Sequence, residues 1–191
     1  GQKLGFIYKS SALKLVSVKE DKRISQAFDR MGCGSLRPAL VAVFEDNKSN
    51  RLGAISVHLK AGGGQRNIDR RSTQYKTLTN IMFELKHKGI ERVVAMGDFN
   101  TTGYDLKNAD YHNFLKILNH TKSSTSAESV ECTSYWKGKS YSDGIEESST
   151  LDHIVYSSAL GSPKSVTVGA HCKKAQCRDV YKDELGESYR S

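Results

Sequence analysis

The sequence predicts an α/β fold in which two β-sheets pack face to face and helices cover their outer sides. Short apolar segments recur between turn-rich stretches, as strands of layered sheets do. Apolar residues at helical spacing run through residues 68–88, and a shorter stripe follows at residues 109–119. Many strands with only two interposed helices favour sheet layers over a helical bundle. We expect residues 1–191 to form a single domain.

The strands and helices can be placed in chain order. The longer helix is expected to end at Gly89, after Lys86 and Lys88. A polar loop is expected at residues 123–126, where Ser and Thr are consecutive. Strands are predicted at residues 4–8, 13–18, 39–44, 52–59, 93–96, 132–136, 151–157 and 166–169.

The tetrapeptide Gly97-Asp98-Phe99-Asn100 follows the apolar run at residues 93–96. Side chains alternate along a strand, so Asp98 and Asn100 are predicted to share a face while Phe99 turns into the core. A carboxylate and a carboxamide would then lie together at the end of a buried strand. The alternative is a turn in which both side chains cap backbone groups.

Two other strands carry polar residues that need an explanation. Residues 55–60 alternate apolar and polar, end in His58 and Lys60, and continue into a glycine-rich loop. A strand-end histidine is often a satisfied structural residue, so His58 alone is not diagnostic. Asp152 interrupts an apolar strand, and a carboxylate there requires a partner.

In this order, the motifs His58-Leu59-Lys60, Gly97-Asp98-Phe99-Asn100 and Leu151-Asp152-His153-Ile154 resemble the endonuclease/exonuclease/phosphatase superfamily. This is the fold of pancreatic deoxyribonuclease. The resemblance implies that Asp98 orients the attacking water or helps to hold a divalent ion. It implies that Asn100 donates its amide hydrogens to a phosphate oxygen, that His58 contacts the scissile phosphate, and that Asp152 orients a general-base histidine.

The resemblance also implies a cofactor, Mg²⁺ or Mn²⁺, because the expected ligands, Asp98 and Asn100, are hard oxygen donors. Two superfamily features are not found in the 191 residues: an opening strand with a metal-binding glutamate and a closing Ser-Asp-His strand. We therefore expect an incomplete central portion of an enzyme, inactive alone and open to complementation by the missing terminal segments. A natural pseudoenzyme is the alternative.

The charge balance favours a polyanionic partner. Lys and Arg number 29 against 21 Asp and Glu, a net charge of +8. A basic cluster after His58 is predicted to contact the DNA backbone and consists of Lys60, Arg66, Arg70, Arg71 and Lys76. A second basic group near the C-terminus fits a solvated basic surface as well as contact with a polyanion, and it consists of Lys173, Lys174, Arg178 and Lys182.

DNA is the expected substrate. Phosphoinositide or sphingomyelin-type lipids are the alternative substrates within the superfamily, and a catalytically dead nucleic-acid-binding module is the alternative of a different class. Trp136 is expected to be an aromatic residue on a sheet surface, with a base-stacking platform as the less favoured interpretation.

The chain contains four cysteines, Cys33, Cys132, Cys172 and Cys177, which allow three pairings. Cys172 and Cys177 are close enough to close a small loop, and a disulfide there would indicate an oxidising compartment. A secreted or periplasmic protein is therefore expected, with a cytoplasmic one as the alternative. Zinc binding by Cys172 with His171 is a rival interpretation.

Overall fold

A computed structural model describes residues 3–26, 36–137 and 144–186. Its larger sheet has six strands in the order β1-β2-β3-β4-β8-β5, and its smaller sheet has the order β6-β7-β9. The strands are β1 Leu13–Asp21, β2 Ala39–Asp46, β3 Arg51–His58, β4 Arg92–Asp98, β5 Ser123–Thr125, β6 Ser134–Lys137, β7 Ile145–Ser149, β8 Asp152–Ser157 and β9 Val180–Tyr181.

Two long helices lie between the strands. They are α2, Gln65–His87, and α3, Ala109–Thr121; three shorter ones are α1, Arg23–Gln26, α4, Ala170–Ala175, and α5, Lys182–Leu185. Parallel neighbours need a crossover connection, and α2 provides it between the parallel strands β3 and β4. The other strand pairs are antiparallel.

The main core lies between these two helices and one face of the six-stranded sheet. The predicted stripe of α2 is buried there through Tyr75, Leu78, Met82 and Leu85. A second cluster covers the opposite sheet face around Phe44, and a third lies under the smaller sheet around Tyr135. The predicted α/β class with two sheets and flanking helices is confirmed.

The structure differs from the sequence-based prediction in several short segments. Residues 4–8 and 166–169 are not strands, because neither pairs with a neighbour in the described residues. The expected polar loop instead contains β5, which pairs with β8 at the sheet edge. The strands β7 and β9 were not predicted from the sequence.

None of the helices in the described residues is both long enough and apolar enough to span a bilayer.

Candidate active site

Three of the predicted site residues lie side by side at one end of the larger sheet. The parallel pairing of β3 and β4 places His58 opposite Asp98. The antiparallel pairing of β4 and β8 places Asp98 opposite Asp152. His58 Nε2 lies 3.4 Å from Asp98 Oδ2. We call these three residues the site row.

The backbone at Gly97 requires a glycine directly before Asp98. Its φ is 132°, a conformation that residues with a side chain rarely adopt. A Cβ at this position would lie 2.1 Å from the Val57 carbonyl oxygen of the neighbouring strand. Only glycine therefore lets β3 and β4 approach closely enough to align His58 with Asp98.

Asn100 does not continue the alternation of β4. The strand ends at Asp98, and Asn100 is left-handed, with a φ of 51°. Its backbone N–H donates to Asp98 Oδ1 at 2.7 Å, and its Nδ2 donates to the Leu59 carbonyl at 3.1 Å. Asn100 is thus buried between the ends of β3 and β4, where it orients the Asp98 carboxylate. Phe99 is fully buried in the core.

The two carboxylates of the site row are electrostatically coupled. Burial raises the pKa of Asp98. Burial and then the negative charge of Asp98 raise the pKa of Asp152 to about 6. Burial, reinforced by the positive charge of Arg37, lowers the pKa of His58. His58 is therefore neutral at neutral pH, and its contact with Asp98 is not an ion pair there.

Arg37 is a site residue that sequence reasoning missed. Its charge lowers the pKa values of both His58 and Asp98, so it lies within electrostatic range of both. β2 and β3 are antiparallel, which brings the segment before Ala39 to the sheet end that carries His58. The only sequence signal was an arginine just before the start of β2.

Arg71 is not a surface cation, and its assignment to the DNA-contacting cluster is wrong. Its side chain is completely buried and pairs with buried Asp110, at 2.6 Å between Nη2 and Oδ2. Nη1 donates to the carbonyls of Lys60 and Gly62, each at 2.7 Å, and Nη2 also donates to Thr102 Oγ1 at 2.9 Å. Arg71 therefore ties the loop after β3 to the segment after β4, which fixes the two loops beside the site row.

The other members of the basic cluster divide between two places. Lys60 is half-buried directly after the end of β3, while Arg66 and Arg70 lie in the first two turns of α2. Lys76 lies further along α2 and lines a separate cavity between α2 and α3, together with Lys116 and His120. Of this basic cluster, Lys60, Arg66 and Arg70 thus remain as candidates for contact with DNA beside the site row.

The donors at this end of the sheet suit Mg²⁺ or Mn²⁺. Asp98 offers carboxylate oxygens, and Asn100 offers Oδ1, since its Nδ2 is bonded to Leu59. The adjacent negative charges of Asp98 and Asp152 would be offset by a divalent cation. In the described ranges, the site row does not form a cluster of three acidic or imidazole ligands. Protein ligands would therefore share the ion with waters and phosphate oxygens.

The disulfide joins Cys132 to Cys177, so Cys172 and Cys177 do not close the small loop that their spacing allowed. Cys172 lies on the buried side of α4, and the left-handed residues Gln176 and Cys177 turn the chain back towards Cys132. The buried Cys172 thiol remains free, with its sulfur within 4.8 Å of the other two. Because two of the three sulfurs are bonded together, the zinc interpretation is not favoured. Cys33 lies outside the described residues.

No protein-family model matches the chain, and no curated protein matches it. Solved structures do match. An endonuclease/exonuclease/phosphatase family protein from Bacteroides thetaiotaomicron is 15% identical, with a TM-score of 0.52, over 78% of this chain and 52% of that one. The mannosyl-6-phosphatase of the same organism is 15% identical, with a TM-score of 0.54, over 78% and 55%.

A third matching structure is D. rerio TDP2 in complex with a single-strand DNA product. It is 18% identical, with a TM-score of 0.51, over 81% of this chain and 57% of that chain. The chain thus spans about half the length of the structures that it matches. It has the fold of the endonuclease/exonuclease/phosphatase family, as the motifs around His58, Asp98 and Asp152 predicted.

Proposed function

We propose that the protein is a divalent-metal-dependent phosphodiesterase that cleaves DNA. The observation that carries this proposal is the site row, in which a histidine and two carboxylates from three adjacent strands align at one sheet end. The net charge of +8 and the DNA product bound to a protein of the same fold support nucleic acid as the substrate.

Hydrolysis requires a water oxygen to form a new bond to phosphorus while the ester bond to the leaving oxygen breaks and that oxygen gains a proton. Asp98, held by the backbone N–H of Asn100, orients the attacking water. His58, which is neutral, contacts the scissile phosphate, and Arg37 offsets the charge that accumulates there. The water proton passes to a general base, which the superfamily resemblance implies is a histidine, and Asp152 accepts a hydrogen bond from that histidine.

A divalent ion held by Asp98 and Asn100 would supply Lewis-acid stabilisation of the phosphate oxygens. The two residues meet that requirement with a carboxylate and an amide oxygen, and Lys60 supplies further positive charge nearby.

The test is cleavage of plasmid DNA by the full-length protein with added Mg²⁺ or Mn²⁺, beside hydrolysis of a phosphoinositide panel, sphingomyelin and a sugar phosphate. We expect cleavage of DNA that EDTA abolishes. Asp98→Asn and His58→Ala should each lower kcat by about a hundredfold or more, the usual loss for a preorganised catalytic group. Both variants should keep the wild-type circular dichroism spectrum.

Arg92→Gln is the matched control, because Arg92 lies at the opposite end of β4 and should leave activity unchanged. Hydrolysis of a lipid or sugar phosphate without cleavage of DNA would overturn the choice of substrate. Binding of DNA without any hydrolysis would favour the binding-module alternative.

A further inference from the structure

A large cavity lies beside the site row and has no part in the chemistry described above. Its volume is about 650 Å³, and we call it the Trp136 pocket. Three parts of the chain line it: the loop 62–64, the segment 102–108, and the paired strands β6 and β7 with Asp179.

Each of these parts connects directly to a member of the site row. Gly62 is four residues after His58, Thr102 is four residues after Asp98, and Ser149 is three residues before Asp152. A chain of three to four residues spans at most about 14 Å, so the pocket lies within reach of a group attached to a phosphate at the site row. Arg71 holds two of these walls together through Gly62 and Thr102.

Trp136 forms an aromatic wall of the pocket because side chains alternate between the two faces of β6. Tyr135 is buried in the core beneath that sheet, so its neighbour Trp136 faces the other way. Trp136 lies directly opposite Glu147 in the pairing of β6 with β7, and both line the pocket. Leu106, which is 68% exposed, provides a second apolar surface. A half-buried indole beside an open cavity is suited to stacking on a planar ring.

The charge of the pocket is opposite to that of the chain. Asp105, Glu147 and Asp179 line it, and no lysine or arginine does among the described residues. Thr150 donates to both oxygens of Asp105, at 3.1 and 2.9 Å, and the Ser148 N–H donates to Asp179 at 2.8 Å. These bonds hold the carboxylates in place, and each carboxylate retains capacity to accept further hydrogen bonds. The pocket therefore disfavours phosphate and suits a neutral ring with N–H donors.

We propose that the Trp136 pocket holds the base of a nucleotide adjoining the scissile phosphate, stacked on Trp136; this rests on the proposed function. A base can enter only after it leaves the duplex stack. Single-stranded or unpaired DNA is therefore the preferred substrate. Bases with an exocyclic amino group bind better than thymine, because the acidic wall accepts their N–H hydrogens.

Tryptophan fluorescence tests binding without any requirement for catalysis. Trp136 is the single tryptophan among the 191 residues, and Trp136→Phe provides the blank for the full-length protein. Deoxyadenosine, which has no phosphate, should quench the Trp136 signal at lower concentration than thymidine. Deoxyribose 5-phosphate, which has no base, should not quench it. Equal responses to all three compounds, or none to deoxyadenosine, would overturn the proposal.

Cleavage provides the second readout. Wild-type protein should cleave single-stranded DNA faster than a duplex of the same sequence. Trp136→Ala should lower kcat/KM on the single strand by about tenfold, a typical loss for one base-stacking contact, and Trp136→Phe should restore most of it. Gly64→Leu should lower kcat/KM on the single strand as Trp136→Ala does. A Cβ at Gly64 meets no atom within 4 Å, so a leucine can be accommodated there and would fill space in the pocket wall.

An equal loss on single-stranded and duplex DNA in Trp136→Ala would show a merely structural role and overturn the proposal. If wild-type protein cleaves neither substrate, the proposed function fails, and the nucleoside titration still decides whether the pocket binds a base.

Discussion

His153 should make the protein less stable in mildly acidic solution. It lies on β8 and is fully buried in the core, with ring centroids 4.3 Å from Phe114 of α3 and 4.9 Å from Tyr104. Within residues 3–26, 36–137 and 144–186, its Nε2 has no hydrogen-bond partner, and Nδ1 lies 3.4 Å from Thr125 Oγ1. Burial lowers the pKa of His153 from 6.5 to about 3. The folded state therefore strongly disfavours the imidazolium form.

The direction in which stability changes with pH follows from proton binding by the folded and the unfolded chain. Between pH 6.5 and 3 the unfolded chain binds a proton on His153 and the folded chain does not, so stability falls as the pH falls. The slope is about 1.4 kcal/mol per pH unit, and lowering the pH from 7 to 5 should cost about 2 kcal/mol. Asp152 acts in the opposite direction, because its raised pKa stabilises the folded state at low pH and that contribution is lost as the pH rises through about 6.

Urea unfolding of the wild type and of His153→Phe at pH 7, 6 and 5 separates the two effects, because the Asp152 contribution is common to both proteins. The difference between their free energies of unfolding should shift by about 2 kcal/mol in favour of His153→Phe between pH 7 and 5. His87→Phe, at an exposed histidine, should show no such shift. A pH-independent difference between wild type and His153→Phe would refute the reasoning.

Three further predictions concern the groups that hold and surround the site. In urea unfolding, Arg71→Leu should lower the free energy of unfolding by about 3–5 kcal/mol because it leaves Asp110 buried without the Arg71 partner. Arg66 is exposed on the same helix, and Arg66→Gln should change the free energy of unfolding by less than about 0.5 kcal/mol. Cys177→Ser should cost about 4 kcal/mol, since the disulfide closes a separation of 45 residues, and reductant should destabilise the wild type but not this variant. Replacing Arg66 and Arg70 with Gln should reduce the slope of log affinity for duplex DNA against log salt by about two units, and an unchanged slope would remove both residues from the DNA-binding surface.

Element prediction succeeded where local pattern and tertiary role coincide. The stripe of α2 is the face that packs on the sheet, so helical spacing located the helix to within a few residues. β5 contains only Ser and Thr and has no apolar pattern; it is a strand because β8 offers it an edge. Residues 4–8 show the reverse, since an apolar segment without a pairing neighbour in the described residues is not a strand.

The site residues also divide into those that local sequence indicated and those whose role depends on tertiary neighbours. His58, Asp98 and Asp152 could be singled out because the motifs around them, taken in order, resemble those of the endonuclease/exonuclease/phosphatase superfamily. Arg71 was misassigned because composition counts a buried cation and an exposed one alike. Arg37 was missed because its relevance depends on which strand lies beside β3. The cavity that Trp136 lines was not predicted, because a cavity wall cannot be recognised from one strand.

The sequence by itself determined the class of fold and the two long helices, because these depend on periodicity and residue chemistry within short windows. It indicated the residues of the candidate site through motifs that resemble those of a known superfamily. Only the tertiary structure decided the alignment of His58, Asp98 and Asp152 in one row, the burial of Arg71 and the pairing of Cys132 with Cys177. Those outcomes depend on strand register and on the spatial arrangement of residues up to 94 positions apart, from His58 to Asp152. Local sequence pattern indicates which face of a strand is buried but not which strands become neighbours, because the competing arrangements differ in long-range packing and in the desolvation of charged groups.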